Sequence, residues 1–150
     1  MRTAKKWNTL LASVFPIQYN QNALTDVEMK ENMVKAVLRC SKTIKVDMAD
    51  LLKLQVYVVP NKPEVKCLLA CAYRKEGTIT NDGKYNLTTA YDMAQQMKNG
   101  DEKNVVNAKK VVGICSKVND VKVSDGDKGC ERATLLFKCI TTNAPKVMET

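Results

Sequence analysis

The sequence predicts an all-α fold, a compact domain of about six short helices cross-linked by three disulfides. Three observations predict it. Apolar residues recur at the three- and four-residue steps of a helix through most of the chain. Proline, glycine and asparagine punctuate those runs at the places where helices begin and end. All six cysteines fall at or inside a helical run, and an even count so placed points to a disulfide framework formed in an oxidising compartment. A length of 150 residues suits one domain with a real core.

Residues 1–22 read apart from the rest. Arg2, Lys5 and Lys6 precede Leu10, Leu11, Ala12, Ser13, Val14 and Phe15, and Pro16 ends the apolar run, the layout of a shortened secretory signal. Residues 23–150 are expected to form the helical domain. Thr25 is placed to cap a first helix with Glu28 as its capping-box partner, and Val27, Val34, Val37, Leu38 and Ser41 trace its apolar stripe. Asp47 opens a second helix carrying Met48, Leu51, Leu52 and Val56. The β-branched tail Val56-Tyr57-Val58-Val59 has no partner strand, so it is read as a helix end stopped by Pro60.

Pro63 suits the first turn of a third helix through Cys67 and Cys71, and Gly77 ends it. Asn81-Asp82-Gly83 is a turn. Asn86 opens a fourth helix, where Leu87, Ala90, Tyr91, Ala94 and Met97 share one face, and Asn99-Gly100 stops it. A fifth, begun by Asp101 and Glu102, runs through Val105, Ala108, Val112, Cys115 and Val118. Asp127 is expected to cap a sixth bearing Cys130, Ala133, Thr134, Phe137 and Ile140, with Pro145 just beyond its end.

Composition removes whole classes of function. With no histidine, His-based acid–base chemistry, Ser–His and Cys–His nucleophiles and the commonest metal ligand are all missing. None of the serines sits in a G-x-S-x-G elbow, so no enzyme is expected. No C-x-x-C pair supports a zinc site, and Asp125-Gly126-Asp127 lacks a carboxylate at the twelfth position of a calcium loop, where Leu136 stands. No metal and no cofactor are expected. Net charge is +8, but the lysines are dispersed and only four of the 24 basic residues are arginines (Arg2, Arg39, Arg74, Arg132), so a solvated lysine coat is favoured over nucleic-acid binding. Asn86-Leu87-Thr88 is a glycosylation sequon at a helix start.

Cys67 and Cys71 stand four apart on one helical face, with Cβ atoms about 5–6 Å apart, beyond the ~3.5–4.5 Å of a disulfide. They therefore reach two other segments, and the third helix becomes a hub; the remaining pairings stay open. Between consecutive cysteines lie 26, 3, 43, 14 and 8 residues. The Cys67-x3-Cys71 and Cys130-x8-Cys139 spacings, with Gly77 after the hub, the Asp82-Gly83 turn and Ala133 beyond Cys130, resemble the six-cysteine insect odorant-binding proteins, the pheromone- and general-odorant-binding family. The resemblance spans about Leu24 to Ile140, although this chain is basic where many members are acidic.

That resemblance implies the bridges Cys40–Cys71, Cys67–Cys130 and Cys115–Cys139, a helical cage around an apolar cavity and secretion into sensillar lymph or another extracellular fluid. It implies a carrier of small hydrophobic ligands (odorant, pheromone, terpenoid or aliphatic), monomeric or weakly dimeric, with a membrane chemoreceptor as a downstream partner. The candidate lining is Met48, Leu52, Val56, Leu69, Tyr73, Ile79, Leu87 and Tyr91, together with Ala94, Met97, Val111, Val112, Val118, Ala133, Phe137 and Ile140. Tyr73 and Tyr91 can give a hydroxyl to a ligand carbonyl or alcohol. Without histidine, ligand release is expected to show no step between about pH 6 and 7 and to begin only near carboxylate pKa values of ~4. The competing expectation is a cationic extracellular protein that binds anionic membrane surfaces, which needs lysines gathered opposite a broad apolar face.

Overall fold

The computed structural model describes residues 26–97 and 102–148. They form six α-helices: α1 (Asp26–Cys40), α2 (Met48–Gln55), α3 (Pro63–Lys75), α4 (Leu87–Gln95), α5 (Glu102–Cys115) and α6 (Cys130–Met148). Two short 3-10 turns, Ser116–Asp120 and Gly126–Lys128, link α5 to α6. No strand forms among the described residues; an isolated antiparallel bridge pairs Ile79 with Tyr85 across the Asn81–Gly83 turn. The residues read as a secretory signal, the Thr25 cap and the Asn99-Gly100 stop lie outside the described residues.

The centre is α3. It packs on α6 and α1, and α6 packs in turn on α5, which carries α4. Leu68, Leu69, Val65 and Ala72 of α3 meet Ala133 and Leu136 of α6 in a core from which water is excluded. The disulfides Cys40–Cys71, Cys67–Cys130 and Cys115–Cys139 join the same elements, so α3 is bolted to α1 and to the start of α6, and α5 to the middle of α6. These are the pairs the family resemblance implied, and neither hub cysteine bonds the other.

Local chemistry sets the boundaries. Pro63 occupies the first turn of α3, where its missing N–H has no intrahelical acceptor to lose. Gly77 adopts φ +79° as α3 ends, and Thr78 N–H reaches back to Tyr73 C=O at 2.9 Å. Asn86 caps α4 by accepting from Thr89 N–H at 3.2 Å, which commits the side chain of the sequon to the helix end. Two arginines bind the loops to this frame. Arg132, buried in α6, donates to the carbonyls of Gly83, Val118 and Val121, while Arg74 donates to those of Thr80, Asn81, Asp127 and Lys128.

Four boundary or facing expectations are corrected. The buried face of α1 is Met33, Ala36, Val37 and Cys40, whereas Val34 and Leu38 are exposed. Helix α2 ends before Pro60: Tyr57 turns to φ +65°, and Val58 N–H bonds Lys53 C=O at 2.9 Å, closing the helix locally. The α6 start is capped by Asp125, whose Oδ2 accepts from Glu131 N–H at 3.0 Å, and Asp127 instead lends its carbonyl to Arg74. Finally, α6 runs through Pro145 to Met148. Proline removes one hydrogen bond there, and Ala144 and Val147 packed against the core hold the last turn in place.

Candidate ligand-binding site

The candidate lining residues separate into two groups. Leu69, Tyr73, Ile79, Ala94, Val111, Val112, Val118, Ala133 and Phe137 are buried together in the core, and Leu87, Met97 and Ile140 pack half-buried against it. Met48, Leu52 and Val56 lie on the outer face of α2, 68%, 55% and 67% exposed, and Tyr91 is partly exposed on α4. Helix α2 buries Leu54 and Asp50 instead, with Leu51 packed half-buried beside them. An eight-residue helix with apolar residues at Met48, Leu51, Leu52 and Leu54 offers two stripes, and tertiary packing selects the second. Lys62 fixes the choice by holding buried Asp50 at 2.7 Å, which raises the Lys62 pKa through that hydrogen bond and charge pair.

The inner group is aliphatic, apart from Tyr73 and Phe137. Phe137 meets the ring of Tyr57 edge to face, with centroids 6.3 Å apart, so the chain leaving α2 touches the core through this aromatic pair. Four polar side chains fall between the last turns of α3 and the middle of α4: Tyr73, Glu76, Tyr85 and Tyr91. Tyr73 is 7% exposed and burial pushes its hydroxyl strongly up in pKa; Tyr85 is buried likewise and pushed up to about 12. Tyr91 is electrostatically coupled to Tyr85, and its hydroxyl lies 3.6 Å from where a Cβ on Gly113 of α5 would stand.

Glu76, at the end of α3, is the fourth. Burial pushes its carboxyl up from about 4.5 to about 7, and no basic side chain pairs with it among the described residues. A carboxyl pushed toward neutrality therefore stands in a chain without histidine. Nothing local in the sequence marks Glu76 or Tyr85; tertiary packing buries Tyr85 and half-buries Glu76.

No helix among the described residues is long and apolar enough to cross a membrane, and no group of three metal-binding side chains occurs among them. The family model of the PBP/GOBP family matches residues 22–143, most of the chain and all six cysteines. The chain belongs to the PBP/GOBP family. Members of this odorant-binding family are binding proteins, extracellular in general, and carry small hydrophobic ligands.

Solved odorant-binding proteins share its fold. Odorant-binding protein dmelOBP28a from Drosophila melanogaster matches with a TM-score of 0.62 at 22% identity, covering 79% of this chain and 94% of that one. Odorant binding protein 5 of Apis mellifera matches at 0.63 and 14% identity, covering 83% and 97%. The fatty acid binding protein OBP56a from the oral disk of the blowfly Phormia regina matches at 0.55 and 22%, covering 87% and 99%. No curated protein sequence matches significantly.

Proposed function

We propose that this protein is a secreted, non-catalytic carrier that holds one small hydrophobic molecule, aliphatic or terpenoid, among the buried side chains of α3, α4, α5 and α6. Membership of the PBP/GOBP family over residues 22–143 is the observation that carries the reading. The apolar inner group, with Leu69, Val111, Val112, Phe137 and Ile140 brought together, supports it. Burial supplies the affinity: each methylene leaving water contributes about 0.8 kcal/mol, so a ten-carbon chain gives roughly 8 kcal/mol before ordering costs, the scale of micromolar binding.

Three disulfides tie α1, α3, α5 and α6 together, so this part of the frame loses little conformational freedom when a ligand enters. No cofactor takes part. The carrier works as a monomer or weak homodimer in sensillar lymph or another extracellular fluid and delivers its ligand to a membrane chemoreceptor. The cationic-surface reading is disfavoured because Arg74 and Arg132 are spent on backbone carbonyls and the lysines do not gather opposite one apolar face. Displacement of a fluorescent probe by alcohols, aldehydes, terpenoids and fatty acids tests the proposal. Saturable binding with displacement is expected. Salt-sensitive binding to anionic liposomes without probe binding would instead establish the surface reading.

A further inference from the structure

The inner group is closed to solvent: Leu69, Ala133 and Leu136 are fully enclosed and Phe137 is buried beside them. A ligand reaches these side chains only if part of the molecule moves. Disulfides fix α1, α3, α5 and α6 to one another, and α2 and α4 carry no cysteine. Those two helices are held very differently. Helix α4 packs along α5, and side chains of the frame stitch down the turn that leads into it. Asn119 accepts from Tyr85 N–H at 2.8 Å and donates to Tyr85 C=O at 3.0 Å, Arg132 donates to Gly83 C=O at 3.0 Å, and Arg74 donates to Thr80 C=O at 3.2 Å.

Among the described residues, α2 alone of the six α-helices packs closely along no other. It sits on apolar contacts, Leu51, Leu54 and Val59 against the core and Tyr57 against Phe137. The backbone N–H groups of Asp50, Leu51, Val56, Tyr57 and Val58 all bond within residues 47–54. A polar tie reaches α2 from the frame through Lys62, the N-cap residue of α3, which holds buried Asp50 at 2.7 Å and stands 3.9 Å from Asp47. Tyr57 is strained where it sits, at φ +65°, so lifting it relieves the backbone while uncovering Phe137. Non-helical residues lie at both ends of α2, Lys45 and Val46 before it and Pro60 and Asn61 before α3.

We propose that residues 45–61 form an entrance strap that lifts from Phe137 to admit and release the ligand, with the Lys62–Asp50 pair as its latch. The inference rests on the carrier reading and says where that interior opens. Unlatching gives water back to a buried carboxylate, which offsets part of the lost ion pair. It breaks no disulfide and separates no closely packed pair of helices.

The test follows N-phenyl-1-naphthylamine, a neutral apolar fluorophore, by stopped-flow fluorescence. A latch stabilises the closed strap with or without ligand. Lys62→Met is therefore expected to raise the association and dissociation rates together, by about threefold or more, while Kd moves by less than about twofold. A residue that only supported the ligand's surroundings would change Kd, chiefly through dissociation. Asp50→Asn gives the same reading should Lys62→Met fail to fold. Asn119→Ala, which cuts the stitches beside α4, is expected to leave both rates near wild type. Hydrogen exchange reads the strap without any ligand: amides of residues 51–55 are expected to exchange faster than those of α3, and faster still in Lys62→Met with α3 unchanged. Rates unmoved in both latch variants, acceleration by Asn119→Ala alone, or exchange in α2 as slow as in α3 would each overturn the strap and leave the carrier reading standing. If no probe binds at all, the carrier reading fails and the entrance falls with it.

Discussion

Helices α2 and α3 follow one another in the chain and end in the same way, yet they occupy opposite extremes of the molecule. Helix α3 carries two disulfides and buries Val65, Leu68, Leu69 and Ala72. Helix α2 carries none, buries Leu54 and Asp50, and leaves Met48, Leu52 and Val56 in solvent. Both close with a backbone hydrogen bond reaching back five residues past a left-handed residue, Gly77 after α3 and Tyr57 after α2. Glycine adopts that conformation without strain; tyrosine does not. In α2 the aromatic contact of Tyr57 with Phe137 offsets the strain. The frame is thus built to be rigid at α3, while α2 is held by an ion pair and one ring contact.

The largest expected effect lies at the centre. Leu69→Ala should destabilise the protein by about 2–5 kcal/mol, because the site is fully enclosed and collapses incompletely; thermal or denaturant unfolding measures it. Next come the helix ends. Gly77→Ala should cost about 1–2 kcal/mol from its φ alone, since the added Cβ meets Thr89 Cγ2 at an ordinary 3.7 Å. Tyr57→Gly should be close to neutral, the relief of strain cancelling the lost ring contact, worth ~0.5–1.5 kcal/mol. Equal losses at the two ends would break the comparison.

The third effect depends on pH. The folded pKa of Glu76 is raised from about 4.5 to about 7, so the unfolded chain releases this proton first as pH rises. Wild-type stability should therefore fall relative to Glu76→Gln between those two values, with the gap largest above pH 7 and closed below about pH 4. Melting temperatures of both proteins across that range report it. The smallest effect is Leu52→Ala, expected within about 0.5 kcal/mol of wild type, the contrast to Leu69→Ala that α2 demands.

The same contrast divides what was legible in the residues from what was not. Around α3 the marks are local or covalent: Pro63 at the start, Gly77 at the end, two cysteines one turn apart. Such features act through a few bonds, so the sequence displays them directly. The buried stripe of α2 depends on Lys62 reaching Asp50 from twelve residues away, and a hydropathy pattern carries no trace of that. Pro145 failed as a stop for a related reason, because packing of Ala144 and Val147 outweighs one missing hydrogen bond. Glu76 reads as an ordinary surface acid in the chain, and only the tertiary environment makes it a group that titrates near neutrality. Cysteine spacing made the fold legible; the burial of Tyr85 and the half-burial of Glu76 were not.

A methyl-labelled NMR titration with 1-dodecanol tests the central claim, that the ligand is carried inside the bolted frame, most directly. The account predicts saturable shifts at Leu69, Val111, Val112 and Ile140, with Leu52 and Val56 moving little. Shifts confined to Leu52 and Val56 on the outer face of α2, with the α3 and α5 methyls silent, would contradict it.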